Sequence, residues 1–336
     1  MLLYLDPLSE SDRAVVVAAS EQFGVPVRVL AEGDDIDAAI AGATSIVTQH
    51  TDLPGATSIV TQHTDLPAER LSAAAAPNLR LLQVMEFGQA SIDREAATTR
   101  GVEVVDLLNL GWLGVCEHTI LLMLALSKQL PDAHIRTAAG ERKPGVSEVK
   151  TTARDYTFSW LGQENLGWLY RKKLGIIGMG RIGQGVATRA AAFGMRILYT
   201  SPRRLHPDRE AALGATHVDL DTLLAESNFV SLHPKLTPET NQMFGAAEFA
   251  KMRPEAYFIN TARGALVDEA ALIAALQTGQ IAGAGIDVFE YEPVKRDNPI
   301  LTLPNVILTP HSAGIFNDDA RRASLREAVE RVSELS

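Results

Sequence analysis

The chain has 336 residues, enough for about two domains, and its 46% hydrophobic content supports sizeable cores. A net charge of −10 with no long run of Lys or Arg argues against a nucleic-acid partner, and a single cysteine, Cys116, excludes an intrachain disulfide. The longest apolar stretch, Thr119 to Ser127, is too short to span a bilayer, and the N-terminus has no signal-peptide pattern, so a soluble cytoplasmic protein is expected with no membrane partner.

Through the first hundred residues short β-rich runs alternate with Ala-rich helical runs. "LLYL" reads as a strand, "SDRAVVVAASEQFG" as a helix with a Ser/Asp start and a Gly stop, and "VPVRVL" as the next strand. "DIDAAIAG" suggests a short helix. "SIVT" reads as a strand and occurs twice, because Gly42–Pro54 is repeated letter for letter as Gly55–Pro67. "AERLSAAA" reads as a helix, "LRLLQV" as a strand, "IDREAATTRG" as a helix and "VEVV" as a strand. Such alternation, with continuous apolar strands, predicts a parallel sheet covered on both faces.

"GVCEHTILLMLALSKQL" reads as one long helix, followed by a polar, Trp-bearing stretch from Pro131 to Lys173. The alternation then restarts. "KLGIIG", "MRILYT", "NFVSLH", "AYFINT", "AGAGIDVF" and "NVILTP" read as strands separated by helices, and "DDARRASLREAVERVSEL" as a final helix. The expectation is two α/β units.

Gly178, Gly180 and Gly183 have the GxGxxG spacing, directly after an apolar strand and at the start of an Ala-rich helix. In that context the glycines permit a tight turn, close approach of a pyrophosphate and close helix–strand packing, while the helix N-terminus supplies free N–H groups. An NAD-preferring site carries Asp or Glu at the tip of the following strand. Here the tip reads Ser201, Pro202, Arg203, Arg204, with no carboxylate and two guanidinium groups suited to a 2′-phosphate. NADP(H) is expected over NAD(H), which is kept as the second choice.

Three polar signatures follow at strand ends: Arg263 in "FINTARGALVDEAAL", Asp287 and Glu292 in "AGIDVFEYEP", and His311 in "NVILTPHSAG". A cation, a carboxylate and an imidazole form a coherent set for reducing a 2-oxo acid. Arg holds the substrate carboxylate, His donates the proton, and Glu orients His and favours its protonated form.

These stretches, with "VCEHTILLMLAL" and "LGIIGMGRIG", resemble the D-2-hydroxyacid dehydrogenase family over nearly the whole chain. The resemblance implies a fold of two doubly wound parallel-sheet α/β domains: a flavodoxin-like substrate domain, residues 1–110 with 312–336, and a Rossmann coenzyme domain, 111–311, with an interdomain cleft. It implies that Arg263 binds substrate, that Glu292 supports His311, and that His311 is the acid/base. It also implies that Asp287 meets the nicotinamide carboxamide. Thr261, Ala262 and the Arg181–Ile182 backbone would line the cofactor, with His233 and Thr240 beyond the fourth coenzyme-domain strand counted among its contacts. "EFGQASID" looks like the substrate-carboxylate loop, with backbone N–H groups near Phe87 and Gly88 facing the substrate, and a homodimer is implied. "YTSPRR" looks like the NADP-dependent glyoxylate/hydroxypyruvate reductases, so a small 2-oxo acid of that kind leads as substrate. An NAD-using dehydrogenase and a dinucleotide-sensing corepressor of the same fold are the alternatives.

Lys235 and Arg171 depart from the family pattern, which has Pro and Gly there, and the C-terminus is shorter. His118 is expected to be an interdomain hydrogen-bonding residue and Cys116 a small buried residue; Trp112, Trp160 and Trp168 are expected to pack in the core, with a dimer surface or a cover for the interdomain hinge as the alternatives. His and Cys show no metal-ligand spacing, so no metal is expected. The doubled segment covers the third strand of a sheet of order 2-1-3-4-5, an internal position that only one "SIVT" can fill. Ser45–Thr48 in the slot would put the extra residues after the strand. Ser58–Thr61 would put them before it and preserve the connection to the next helix. A solenoid needs more repeats and a longer period, so the repeat reads as an insertion.

Overall fold

The computed structural model describes residues 2–4, 10–25, 27–29, 57–61, 66–76, 79–85, 92–107, 111–314 and 318–334. The chain divides into two compact units, Met1–Leu110 with Phe316–Ser336, and Gly111–Ile315.

The first unit carries a five-stranded sheet of β1 (Leu2–Tyr4), β2 (Val27–Val29), β3 (Thr57–Thr61), β4 (Leu79–Met85) and β5 (Glu103–Leu107), in the order β2-β1-β3-β4-β5 with all pairs parallel. The second copy of the doubled segment therefore fills the internal slot. The first copy, Gly42–Pro54, lies outside the described residues, as does the "DIDAAIAG" helix. On one face of the sheet Leu66, Leu71, Leu79, Leu82, Ala97 and Val102 pack together; on the other, Val16, Ala19 and Leu81 meet Leu325, Ala328, Val329 and Val332. The register slips by one residue at Thr57/Ser58, so that Ser58 pairs with Leu81. That bulge lets Leu79 and Leu82, three apart, share a face that strict alternation would deny them.

Helices α1 (Glu10–Phe23) and α2 (Arg94–Thr99) belong to this unit, and so does the C-terminal helix, Asp318–Glu334. The buried Gln83 side chain donates to Ala328 O at 3.0 Å and so ties that helix to β4. The expected helix at "AERLSAAA" is instead a series of turns. Its Leu71 and Ala76 carbonyls accept from the Arg100 guanidinium rather than from a continuing helical ladder.

The second unit opens on α3 (Gly111–Lys128), the long helix expected, and continues in a short helix, α4 (Leu130–Ala138), that runs into the stretch read as polar and was not expected. The two are bent by 62° at Gln129, whose φ is +49°. Pro131 has no N–H to offer the Ser127 carbonyl, which accepts from Gly167 N at 2.7 Å instead. The sheet comprises β6 (Lys173–Ile177), β7 (Arg196–Thr200), β8 (Ala215–His217), β9 (Phe229–Leu232), β10 (Tyr257–Asn260), β11 (Gly283–Ile286) and β12 (Val306–Leu308). Its order is β12-β11-β10-β9-β6-β7-β8, all parallel. Strand order reverses between β6 and β9, the point at which open α/β sheets bind ligands. Helices α5 (Arg181–Ala192), α6 (Pro207–Leu213), α7 (Leu220–Glu226), α8 (Ala246–Lys251) and α9 (Glu269–Gln277) cover the faces, and the C-terminal helix is α10. Edge strand β8 is not foreseen from sequence.

Trp160 and Trp168 are 43% and 66% exposed, so the core role expected of them is wrong; only Trp112 packs partly against the core. Both lie in the irregular segment after α4, which has no apolar periodicity to build a core from. Arg171 adopts φ +61°, the left-handed conformation that favours glycine, and its N–H donates to Gly194 O at 3.0 Å.

Candidate active site

The β6–α5 turn carries Gly178, Gly180, Arg181, Ile182 and Gly183. Packing explains two of the glycines. Gly178 has φ +93°, and a Cβ there would lie 2.7 Å from the backbone of His233; a Cβ on Gly183 would lie 2.3 Å from Gly178 O. Gly180 is different, since a Cβ there would meet no protein atom within 4 Å. The space above it is open, and the α5 N-terminus behind it has no side-chain cap. An anionic pyrophosphate fits that cradle, held by N–H groups and the helix dipole.

His233, just past β9, lies against this turn. Its Nε2 shares a 2.9 Å hydrogen bond with the buried Ser231 hydroxyl, and its Nδ1 is buried without a partner. The ring keeps some exposed surface, but both nitrogens face inward, and burial pushes its pKa down to about 4. Thr240 is spent within its own loop, where its hydroxyl donates to Lys235 O at 2.7 Å.

At the tip of β7 the two arginines separate. Arg204 is engaged bidentately by Glu210, Nε to Oε1 and Nη2 to Oε2, both at 2.9 Å. The Tyr199 hydroxyl donates to the same Oε1 at 2.7 Å. Arg204 and Tyr199 together hold the Glu210 carboxyl down at about 2. Arg203 is exposed and its side chain has no partner among the described residues.

The catalytic candidates follow three adjacent strands, β10, β11 and β12. Asn260 closes the loop after β10, its Nδ2 donating to Arg263 O and its Oδ1 accepting from Ala262 N, both at 3.0 Å. Thr261 is buried against the Thr119 hydroxyl at 3.1 Å. The Arg263 guanidinium is exposed and turned back onto Ala262 O, so it touches neither His311 nor Glu292 here. Gly264 packs so closely on the β11 loop that a Cβ would fall 1.8 Å from Phe289 O. That contact brings the loops of Arg263 and Glu292 together.

Glu292 and His311 meet as expected, Oε2 to Nδ1 at 2.6 Å, while Glu292 Oε1 accepts from Phe289 N at 3.0 Å. His311 has φ +52°, a strained conformation for a non-glycine residue. What holds it is Asp287. The fully buried Asp287 carboxylate accepts from Thr309 Oγ1 at 2.6 Å, Ser312 N at 2.9 Å and Ala313 N at 2.9 Å, and the Asp287 carbonyl accepts from His311 N at 2.8 Å. His118 Nε2 adds a 2.9 Å bond to Thr309 Oγ1. Its partner thus lies within the coenzyme unit, not across domains. The Asp287 carboxylate, buried and bonded to these three donors, is the anchor of the His311 loop. Sequence reading overlooked Asn260, Thr309, Tyr199 and Glu210; a polar residue at a strand end was the available signal for the first two. Phe87 and Gly88 lie outside the described residues.

The model for the D-isomer specific 2-hydroxyacid dehydrogenase NAD-binding domain matches residues 120–313. The chain belongs to the D-2-hydroxyacid dehydrogenase family. This dehydrogenase is 41% identical, over 248 residues, to glyoxylate/hydroxypyruvate reductase B of Klebsiella pneumoniae (strain 342), covering 73% of this chain and 72% of the relative. A glyoxylate reductase structure from Paecilomyes thermophila is 30% identical, with TM-score 0.66 over 98% of this chain and 95% of that one. An acyclic imino acid reductase solved with NADPH and D-Arg is 25% identical, with TM-score 0.66 over 100% and 97%. The dehydrogenase is therefore an oxidoreductase with a dinucleotide-binding Rossmann domain, and the Gly180 cradle belongs to it.

Proposed function

We propose that this dehydrogenase reduces a small 2-oxo acid of the glyoxylate or hydroxypyruvate kind to the D-2-hydroxy acid, preferring NADPH and accepting NADH. The names of its relatives support the substrate class. The observation that carries the chemistry is the His311–Glu292 pair at 2.6 Å. Glu292 fixes the ring through Nδ1 and leaves Nε2 to hand a proton to the substrate oxygen. Arg263, swung off Ala262 O, supplies a bidentate clamp for the substrate carboxylate. When bound, the nicotinamide supplies the hydride. Gly178, Gly180, Gly183 and the Arg181–Ile182 backbone would hold its pyrophosphate, and Ser201 and Arg203 its adenosine ribose side. Unpartnered Arg203, with no carboxylate free at the β7 tip, supports the 2′-phosphate.

A second copy of the chain is the proposed cover for Leu130, Ile135, Tyr156, Phe158, Trp168 and Tyr170, all exposed at 50% or more on α4 and the segment after it. A panel of 2-oxo acids assayed with NADPH and NADH tests the reading. Turnover of glyoxylate or hydroxypyruvate with higher kcat/KM for NADPH is expected; inactivity on the whole panel, or a clear NADH preference, would overturn the corresponding half. Sedimentation at micromolar concentration should give the mass of a dimer.

A further inference from the structure

The two adjacent arginines at the β7 tip do different work. A carboxylate near a 2′-phosphate site repels the ligand unless it is neutralised, and Glu210 is such a carboxylate: its side chain is only 12% exposed. Both its oxygens are occupied by Arg204, and Oε1 also by the hydroxyl of Tyr199, whose ring is fully buried. The Tyr199 oxygen in turn accepts from Leu205 N at 2.9 Å. The loop from Ser201 to Leu205 is therefore clamped at the Arg204 side chain and at the Leu205 backbone, both through one carboxylate on α6. The next helix residue back, Arg209, donates from Nε to Gln184 Oε1 at 2.8 Å, and Gln184 Nε2 donates to Met179 O at 3.2 Å in the glycine-rich turn. Helix α6 thus ties the β7 tip to the phosphate turn.

We propose that Glu210, acting through Arg204 and Tyr199, is a positioning residue for cofactor selection, and that Arg203 alone supplies the guanidinium that meets the 2′-phosphate. The proposal rests on the NADPH reading above and refines it. Arg204 and Glu210 cancel in charge, so one cation remains to discriminate. Discrimination on the scale of a single charge-assisted contact follows, about 10- to 100-fold.

The competing assignment makes Arg204 a direct phosphate ligand, and the two differ in sign. If Glu210 merely competes with phosphate for Arg204, removing its charge frees Arg204 and strengthens binding of the 2′-phosphate. If Glu210 is the brace, removing it loosens the loop and weakens that binding. Calorimetric titration of the full chain with adenosine 2′,5′-bisphosphate and with adenosine 5′-monophosphate reads this directly, without turnover. Arg203→Ala should lower the preference for the bisphosphate by about 10- to 100-fold. Glu210→Gln should lower it in the same direction, by about 3- to 10-fold. Tyr199→Phe keeps the Arg204–Glu210 pair, should lower the preference less, and decides the matter if Glu210→Gln does not fold. A preference raised or unchanged by both Glu210→Gln and Tyr199→Phe overturns the proposal while the cofactor reading stands. A parent protein with no preference for the bisphosphate overturns both.

Discussion

Acidification from pH 7 to pH 5 should destabilise the coenzyme unit through the ring of His233. Charging this imidazole would place a proton on Nδ1, which is buried without an acceptor, while Nε2 is taken by Ser231. Its folded pKa is accordingly down at about 4, from an ordinary 6.5. A base with a depressed folded pKa is protonated in the unfolded chain before it is protonated in the native one. Stability from this group is therefore full above about pH 6.5 and is lost progressively as pH falls toward about 4. Between pH 7 and pH 5 the uptake difference corresponds to somewhat over one pH unit, and each unit is about 1.36 kcal/mol. Allowing for the partly exposed ring, the cost is about 1–2 kcal/mol. His233→Gln removes the titration while keeping an amide able to bond Ser231. Trp112, Trp160 and Trp168 are the only tryptophans and all lie in Gly111–Ile315, so tryptophan fluorescence during urea unfolding reports on this unit. The parent should lose about 1–2 kcal/mol more than His233→Gln between the two pH values. Equal losses would mean that the ring is already solvated or already paired, and the reasoning from burial fails.

Replacing His311 by Asn should lower kcat by about 10²–10⁴ with the NADPH dissociation constant unchanged, and Glu292→Gln should cost less because an acceptor for Nδ1 survives; stopped-flow turnover and cofactor titration check both, and near-parental rates for His311→Asn would remove it as the acid. Asp287→Asn puts an amide NH₂ against the Thr309, Ser312 or Ala313 donors, so kcat should fall at least tenfold although no ligand contact is required of residue 287; unaltered kinetics would show that the loop holds itself. Cys116, whose thiol burial pushes up to about 11, should resist iodoacetamide in the native protein at pH 8, where about one thiol in a thousand is ionised, and react on unfolding; fast native labelling would place the thiol outside the core. Deleting Gly42–Pro54 leaves Thr57–Thr61 to fill the sheet, so folding should be retained and stability raised by at most about 0.6 kcal/mol from a shorter β2–β3 connection; a chain that no longer folds would show that the first copy is structural.

The central strands were legible because β6, β9, β10 and β11 are short apolar runs buried on both faces. The edge was not, since β8 has three residues and one neighbour and carries little apolar signal. At "AERLSAAA" composition misled: Ala favours helix, but the Leu71 and Ala76 carbonyls are claimed by Arg100, a partner more than twenty positions away that no local window contains. The long helix was legible to its end, since Pro131 lacks the N–H that the Ser127 carbonyl would need, but the short α4 after it was not, because the stretch from Pro131 read only as polar. In the site, His311 and Glu292 could be paired because motif spacing after adjacent parallel strands brings loops together. Arg204 could not be separated from Arg203 by sequence, because a guanidinium chooses between ligand and neighbour by geometry. The doubled segment offered two equivalent strands, and only the pairing of Ser58 with Leu2 and Leu81 distinguishes them.

The overall charge of −10 gives a poor guide to the field a ligand meets, because charges beyond about 8 Å are screened at physiological salt. Near the strand ends three carboxylates are engaged by groups of the chain itself. Asp287 is saturated by two backbone N–H groups and a hydroxyl, Glu292 by Phe289 N and His311, and Glu210 by Arg204 and Tyr199. Each acts on the chain, fixing a loop or a ring. The cations are distributed the other way: Arg203 and Lys235 have no side-chain partner among the described residues, and Arg263 holds only a neighbouring carbonyl. An acidic protein thus presents cationic groups at the ends of β7, β9 and β10, where its proposed ligands, a 2-oxo acid and a phosphorylated dinucleotide, are both anions. The same arrangement explains the strain at His311. A ring held at φ +52° by three donors to one buried carboxylate has little freedom to turn away from Glu292, so its free nitrogen is oriented before any substrate arrives.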